Sequence, residues 1–462
     1  MRPMYRIKQL ILLSGDLLSF YVALWISVSL RYWSIPDIRH IETLVPLFFT
    51  TFFLWVVLNF INGLYDLERL AKKTIFRRFA QTALVSFVMS AIFFYLFPTE
   101  NITPKTILGL NIIFGYGLSA LWRMLYVKIF GGKTLLTNVV IVGYTPEVRE
   151  LIDILKAAPE KGYHIAAVID PDKQLAPGDV PGTHVYQGLQ TIRPAITNYH
   201  ASLVVIAPHL RQDSNALREL YELLFWHVRI SDLPSFYEIV TGRVPPSTFS
   251  ESWFLDHLKN REQPIYDKFR TLVDFSAAFL MLIVCVVLFP FIALAIKLNS
   301  KGPLFIKQKR VGQFGKHFTL YKFRSMYALS PDGSAEVNGA QFAQKDDKRV
   351  TAVGQFMRKT RLDELPQCIN LFKRDLTFIG PRPERPEVIK KLEEEMPYYS
   401  IRHVIKPGLT GWAVIQQDYA DTLKDALIKL QYDVFYIKNR SLLLDLSILL
   451  RTVNVILWMK GQ

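Results

Sequence analysis

The feature that most limits how this chain can fold is the apolar run from Leu272 to Ile296, with positive charge packed against both ends. It is long enough to cross a hydrocarbon core of ~30 Å as a helix. Lys259, Arg261, Lys268 and Arg270 precede it, and Lys297, Lys301, Lys307 and Lys309 follow it. A crossing helix would leave one cluster on the far side, against the bias of Lys and Arg toward the cytoplasm. Pro290 falls inside the run, where it removes a backbone donor and breaks or kinks a helix. The run is therefore expected to dip into the membrane, bend at Pro290 and return, as a re-entrant helix over residues 271–298.

Four other apolar stretches, Leu10 to Leu30, Leu44 to Tyr65, Phe79 to Phe97 and Ile107 to Trp122, are each about long enough to span. The first is too long for a signal peptide and has no cleavage site. Arg2, Arg6 and Lys8 precede it. Lys72, Lys73, Arg77 and Arg78 crowd the second connection, and Arg123, Lys128 and Lys133 follow the fourth stretch. Both ends of a four-helix transmembrane bundle over residues 1–130 should then face the cytoplasm. Asp16 lies inside the first span, either as a functional charge or as a helix-packing acid.

Residues 131–248 alternate strand and helix patterns. Asn138 to Gly143 reads as a buried strand ending in a glycine turn, and Pro146 to Leu155 as the helix after it. His164 to Asp170 and Leu203 to Ala207 read as further buried strands. This is the pattern of a Rossmann-like, doubly wound α/β domain. A dinucleotide fingerprint needs two more glycines after Gly143. Thr145 and Val148 occupy those places, so NAD binding is not expected.

The third part, residues 249–462, carries the chemistry. Lys301, Lys307, Lys309, Arg310, Lys316, Lys322 and Arg324 occur with no acid among them, punctuated by Gly302, Gly312 and Gly315, where backbone can approach a ligand. Period-two alternation through Phe318–Ser325 puts Lys322 and Arg324 on one face of a strand. Two adjacent carboxylates, Asp363 and Glu364, follow, flanked by Arg358, Lys359 and Arg361. Gly380-Pro-Arg-Pro383 is a rigid turn presenting Arg382. Fixed cations around a carboxylate pair suit a sugar diphosphate, with a divalent ion bridging acid and phosphate. Asp363 also fits a helix N-cap, with Pro366 in the next turn. The net charge of +15 on a chain half hydrophobic and 13% aromatic fits an anionic leaflet and phosphates, not nucleic acid. Cys285 and Cys368 have no metal-ligand spacing.

These motifs also carry a resemblance. Gly302-Pro-Leu-Phe-Ile-Lys-Gln-Lys-Arg-Val-Gly-Gln-Phe-Gly315, Tyr321-Lys-Phe-Arg-Ser-Met326, Leu362-Asp-Glu-Leu-Pro-Gln367, Gly380-Pro-Arg-Pro383, Lys406-Pro-Gly-Leu-Thr-Gly-Trp412 and Tyr432-Asp-Val-Phe-Tyr-Ile-Lys-Asn439 stand in one family's order. The chain resembles the bacterial sugar transferases, monotopic phosphoglycosyl transferases that move a hexose-1-phosphate from a nucleotide sugar to undecaprenyl phosphate. Its N-terminal half resembles the larger members that begin exopolysaccharide or O-antigen synthesis. The resemblance implies an α+β monotopic catalytic domain, a CoA-binding-like middle domain serving as a scaffold or regulatory module with ligand binding open, and a place in the bacterial inner membrane with the catalytic domain on the cytoplasmic face. It implies Asp363 as nucleophile and Glu364 as ligand of Mg²⁺, with UDP-sugar and undecaprenyl phosphate as substrates.

Lys322, Arg324, Arg358, Arg361 and Arg382 are the candidate phosphate and nucleotide contacts, with Gln367 and Asp433 matching family positions near the site. Asp433 fits a structural hydrogen-bond acceptor as well. Two alternatives stay open: direct attack by the lipid phosphate with Asp363 or Glu364 as general base, and an inactive membrane scaffold or nucleotide sensor. A homodimer is compatible with the large N-terminal half. The chain departs from the family in three places. Phe289 precedes Pro290 where members carry Ser. Val414-Ile-Gln-Gln-Asp-Tyr419 replaces an Asn-Gly-Arg-Asn stretch of some smaller members. Arg374-Asp375 stands where Gly-Asp is usual. The last apolar stretch, Leu442 to Met459, is broken by Asp445 and Arg451 and is expected to lie along the membrane surface.

Overall fold

The computed structural model describes residues 3–36, 38–65, 74–96, 105–130, 136–176, 179–180, 182–226, 228–258, 264–329, 347, 349–417 and 422–457. Arg2, Lys72, Lys73, Lys133, Lys259 and Arg261, used above to orient the helices, lie outside these residues, as do Phe97, Asp418, Tyr419 and Met459. The chain divides into two compact units, Met1–Thr241 and Gly242–Gln462.

In the first unit the four N-terminal apolar stretches are helices: α1 (Pro3–Tyr32), α2 (Ile38–Ile61), α3 (Thr74–Leu96) and α4 (Lys105–Phe130). Each is long and apolar enough to cross a membrane. A helix is the form such a segment takes in hydrocarbon, because it satisfies its own backbone donors and acceptors. Phe20, Phe48, Phe52, Trp55 and Tyr116 pack with Phe79 and Phe94 into one aromatic cluster that draws on all four helices. Phe20 stands edge-on to Trp55 with ring centroids 5.0 Å apart, the arrangement the ring quadrupoles favour. Polar side chains join neighbours: Trp55 Nε1 donates to Ser90 Oγ at 2.8 Å, and Asn62 Nδ2 to Thr82 Oγ1 at 2.9 Å. Asp16 is fully buried. It forms an ion pair with the Arg123 guanidinium and accepts from Ser119 Oγ at 2.6 Å. Arg123 Nη1 donates onward to the Leu64 carbonyl at 2.6 Å. Asp16 is thus a packing acid, with the partner a buried charge requires.

The α/β part of this unit holds a five-stranded sheet. Its strands are β1 (Thr137–Val142), β2 (Tyr163–Ile169), β3 (His184–Tyr186), β4 (Leu203–Ile206) and β5 (Arg229–Asp232), in the order β3-β2-β1-β4-β5. All four pairings are parallel. The helices are α5 (Pro146–Ala157), α6 (Ile192–Asn198), α7 (Ser214–Glu222) and α8 (Leu233–Thr241). Val139 and Ile141 face α5 and α8, while Val140 and Val142 face α6 and α7. Both sheet faces are therefore covered, which is why β1 and β4 read as unbroken apolar runs. Gly143 sits at φ +93, and a Cβ there would lie 2.6 Å from Ala207 Cβ. This glycine is required by the approach of the β1 and β4 ends. Val148, at the third fingerprint position, is a core residue of α5.

In the second unit a short helix, α9 (Glu251–His257), precedes α10 (Pro264–Asn299). Pro290 lies inside α10, which continues as one helix beyond it. Strands β6 (Phe305–Val311) and β7 (His317–Phe323) form an antiparallel hairpin. Then come α11 (Ala352–Thr360), a 3₁₀ turn (Leu362–Gln367), α12 (Cys368–Phe372), β8 (Thr377–Ile379), α13 (Pro386–Glu395), β9 (Gly408–Thr410), α14 (Trp412–Gln416), α15 (Leu423–Asn439) and α16 (Leu442–Leu457). β8 and β9 pair in parallel.

Helix α10 is anchored at both ends on this same unit. Near its start Arg270 Nε donates to Thr377 Oγ1 at 3.2 Å and its Nη2 to the Ile379 carbonyl, while Asp274 accepts from the Phe378 backbone N–H at 2.7 Å. Near its end Ile292 and Ile296 pack with Phe323, Met357 and Leu365. Its other face exposes Leu272, Phe279, Val286, Phe291 and Leu298. Helix α16 turns Leu443 and Leu446 outward and buries Leu444 and Ile448. Asp445, however, faces the protein and accepts from Tyr266 at 2.7 Å and Tyr436 at 2.8 Å. The acid is matched by phenols and does not belong to a wet outer face.

Candidate active site

The site begins with a cap and a turn. Thr351 Oγ1 accepts from the Gly354 N–H at 2.9 Å and starts α11. Arg361 ends it at φ +60, a left-handed conformation uncommon outside glycine. That reversal feeds the 3₁₀ turn, in which Asp363, Glu364, Leu365, Pro366 and Gln367 are all buried. The cap position belongs to Arg361 and Asp363 makes no capping bond, so the helix N-cap reading of Asp363 does not hold.

Glu364 Oε1 gathers three cations: Arg382 Nη2 at 2.7 Å, Lys322 Nζ at 3.1 Å and Arg361 Nη1 at 3.3 Å. Burial alone would raise the Glu364 pKa, but Arg382, Lys322 and Arg361 outweigh it and hold the carboxyl well below its ordinary range. Next to it, Asp363 goes the other way. Burial raises its pKa against the pull of Lys322, and the Glu364 charge adds to the rise. Asp363 Oδ1 is buried and has no hydrogen-bond partner among the described residues. The two adjacent carboxylates thus differ: Glu364 is paired with three cations through Oε1, while Asp363 Oδ1 is held without a donor. Lys322 is pulled down by burial and up by Glu364.

A second buried network holds the Gly-Pro-Arg-Pro turn in place. Arg402 Nη2 donates to the Arg382 carbonyl at 2.9 Å and pairs with Asp433 at 2.8 Å. Glu384 collects Lys429 at 2.5 Å, Arg310 at 3.8 Å and Arg402 at 4.0 Å. Against burial, Lys429, Arg402 and Arg310 lower the Glu384 pKa to about 2. Arg382 therefore reaches Glu364 from a backbone that is itself fixed, which limits the loss of rotamer freedom on meeting a ligand.

Among the residues expected at the site, Lys322, Arg361 and Arg382 converge with Asp363 and Glu364. Arg358 donates from Nε to Ser325 Oγ at 3.0 Å, and its charge reaches Asp363. Gln367 is buried with Nε2 unpartnered among the described residues. Arg324 differs from expectation. Strand β7 ends at Phe323, and the buried Arg324 guanidinium donates to the carbonyls of Lys301 and Ser300, both at 2.7 Å. It caps the end of α10 while Lys322 turns to Glu364. Gly302, at φ +126, is adjacent, and a Cβ there would collide with Arg324. That glycine makes room for a side chain instead of a ligand. Asp433 is the acceptor for Arg402, one step removed from the carboxylate pair.

Sequence reasoning missed Arg402, Glu384 and Lys429. None lies in a periodic pattern, and only the fold brings a 3₁₀ segment, a turn and a helix together. The one available signal was the acid of Pro383-Glu384 next to the expected Arg382.

Comparison with known proteins fits this site. The family described as bacterial sugar transferase matches residues 265–459, which include the 3₁₀ turn and all of the cations above. The UDP-N-acetylgalactosamine-undecaprenyl-phosphate N-acetylgalactosaminephosphotransferase of Aeromonas hydrophila is 39% identical over 237 residues, 50% of this chain and 53% of the relative. The UDP-glucose:undecaprenyl-phosphate glucose-1-phosphate transferase of Escherichia coli strain K12 is 39% identical over 164 residues, 35% of this chain and 34% of the relative. The chain thus spans about half or less of the length of these two relatives. It spans 89% of the sugar transferase EpsL of Bacillus subtilis, at 37% identity over 192 residues. With a shared catalytic segment of that extent, carrying the carboxylate pair and its cations, the chain belongs to the bacterial sugar transferase family.

Proposed function

We propose that this protein transfers a hexose-1-phosphate from a UDP-sugar to undecaprenyl phosphate and releases UMP. This would be the first membrane step of exopolysaccharide, O-antigen or capsule synthesis, on the cytoplasmic face of the bacterial inner membrane. The observation that carries the reading is the pair itself: Asp363 with a buried, unpartnered Oδ1 beside Glu364 fixed by Lys322, Arg361 and Arg382. An oxygen without a donor is poised to form a bond. Asp363 attacks the sugar-proximal phosphorus of the UDP-sugar, the bond from phosphorus to the UMP oxygen breaks, and UMP leaves. The hexosyl-phosphoryl group is then an acyl phosphate on Asp363. An oxygen of undecaprenyl phosphate attacks the same phosphorus and expels the Asp363 carboxylate. Lys322, Arg361 and Arg382 offset the charge of the diphosphate, while Glu364 keeps these three cations from closing on Asp363.

The residues present fit Mg²⁺ in one way. Among the described residues no three His, Cys, Asp or Glu side chains converge, so a resident all-protein metal cage is not the design. Glu364 Oε1 is taken by three cations, but no described side chain donates to Oε2, which suits an ion arriving with the diphosphate and keeping several waters. Bound there, the metal would supply charge neutralisation at the pyrophosphate and the leaving UMP.

The membrane reading rests on α10. Its Arg270 and Ile296 ends are separated by about 39 Å of helix at 1.5 Å per residue. If α10 crossed, they would lie on opposite sides of the hydrocarbon. Both instead bond or pack to one folded unit rich in charge, which favours a helix that enters and leaves by the same face. Its exposed apolar residues cost about 1.5–3 kcal/mol each in water, which lipid removes. The same logic makes α1 to α4 membrane spans.

The test is single turnover with UDP-sugar alone, followed by intact-mass and peptide analysis. The expected result is UMP release with a hexose-phosphate adduct on Asp363. UMP release only when undecaprenyl phosphate is present, with no adduct, would move the reading to direct attack. No UMP from any UDP-sugar in a panel would remove the enzyme reading.

A further inference from the structure

A second basic site lies in the same unit, separate from the carboxylate pair. A cavity of about 350 Å³ opens beside the first turns of α10, lined by Asp267, Arg270, Asp274, Arg374, Lys406 and Arg440 among others. Neither Asp363 nor Glu364 lines it. Two of its charges are satisfied within the fold. Arg270 donates to Thr377 and Ile379, and Asp274 accepts from Thr377 Oγ1 and the Phe378 N–H. The other three cations, Arg374, Lys406 and Arg440, make no ion pair or side-chain hydrogen bond among the described residues; Asp267 also lines the cavity, and the charges of Asp274 and Asp375 reach Lys406.

Three observations say that this excess is built and not incidental. Arg374 holds φ +61, one of three non-glycine residues of this unit at positive φ among the described residues, the others being Phe314 and Arg361. Arg361 uses that strained conformation to deliver its guanidinium to Glu364; Arg374 uses it at the wall of this cavity. Lys406 feels the crowding, since burial and then the Arg374 charge lower its pKa. Finally, the cavity stands where the apolar surface of α10 begins. Exposed Leu272, Phe275 and Phe372 are close by, with the Phe275 and Phe372 rings 6.2 Å apart. Cations gathered at the edge of an apolar helix face match the depth of lipid phosphates.

We propose that this cavity binds a phosphate group, held by Arg374, Lys406 and Arg440 and presented by the headgroup of an anionic lipid. The lipid source rests on the reading that α10 sits in the membrane face; the phosphate chemistry does not. The phosphate closes the gap between the three cations and relieves their mutual repulsion, so that α10, α12 and the end of α15 are held at one fixed depth.

The test uses the full-length protein in a neutral detergent, with thermal unfolding followed on adding phosphatidylglycerol, a neutral glycosyl diacylglycerol, or inorganic phosphate. The variants are R374G, which relaxes the backbone, and R440Q. The wild type should melt several degrees higher with phosphatidylglycerol than with the neutral lipid. Both variants should lose most of that increment while the unliganded melting temperature falls by no more than about 2 °C and UMP release stays within twofold. If inorganic phosphate produces the same increment and the variants lose it, the site is a phosphate site supplied from solution. If wild type and variants respond alike to phosphatidylglycerol, or the neutral lipid matches it, the proposal is wrong. If UMP release is absent from the wild type, the enzyme reading fails, and the melting increments still decide this site.

Discussion

Asp363 and Glu364 are chemically similar neighbours, yet the structure predicts that neutralising them moves stability in opposite directions. In Glu364→Gln, Lys322, Arg361 and Arg382 lose their shared partner in a site where the Glu364 side chain is 7% exposed. Removing one member of a buried ion pair costs about 3–5 kcal/mol, because the other charge is left behind. At roughly 2–4 °C per kcal/mol for a unit of this size, the apparent melting temperature should fall by about 10 °C at pH 7. In Asp363→Asn the change removes a desolvated charge whose Oδ1 has no donor, worth about 1 kcal/mol or more in favour of the variant. The signs follow from linkage. Asp363 has a raised pKa in the fold, so its contribution is fully favourable below the unfolded value and is lost as pH rises through the folded value. The advantage of Asn should therefore widen as pH rises from the unfolded value through the raised folded value, and stay constant above it. Glu364 has a lowered pKa, so its contribution is present above the unfolded value and disappears only as pH falls through the depressed folded value, well below 4.5. The assay is thermal unfolding of detergent-purified protein at pH 5, 6, 7 and 8, with UMP release alongside. Asp363→Asn should be inactive and as stable as wild type or more so. An Asp363→Asn protein that melts about 10 °C lower, like Glu364→Gln, would mean Asp363 is a paired structural acid, and the nucleophile argument would fail with it.

Single cysteines at positions 268 and 301, in a background lacking Cys285 and Cys368, should both resist a membrane-impermeant thiol reagent in intact cells; labelling at 301 but not 268 would make α10 a span. Export of that second cluster would move charge against the membrane potential at ~2.3 kcal/mol per charge per 100 mV. Arg402→Lys should keep the fold but lower kcat by about tenfold or more, with a smaller change in KM, because Lys cannot serve the Arg382 carbonyl, Asp433 and Glu384 together; unchanged kcat would remove it from the positioning of Arg382. Gly143→Ala should destabilise the first unit by about 1–3 kcal/mol through left-handed strain and the contact with Ala207, read by hydrogen exchange in β1 and β4, and unchanged exchange there would contradict the close approach. NAD(H) at millimolar concentration should leave the melting temperature unchanged, since a ligand that binds only the native state must raise it.

What the sequence determined on its own was whatever is written in local periodicity and in charge against a hydrophobic background. The four N-terminal helices, the strand at Thr137–Val142 with its following helix, and α10 were legible because solvent or lipid dictates those patterns one element at a time. The carboxylate pair, Lys322 and Arg382 were legible because rare residue types cluster around turn signals. Tertiary structure decided everything that depends on which polar group meets which. Period two placed Lys322 and Arg324 together; the end of β7 sent one to Glu364 and the other to the carbonyls of Lys301 and Ser300. Asp16, Asp433 and Asp445 were each assigned by a partner on another element: Arg123, Arg402, and the phenols of Tyr266 and Tyr436. A buried charge takes its state from its nearest opposite charge and from its loss of water. Neither is a property of the local sequence, which is why Asp363 and Glu364, adjacent in the chain, have pKa values shifted in opposite directions.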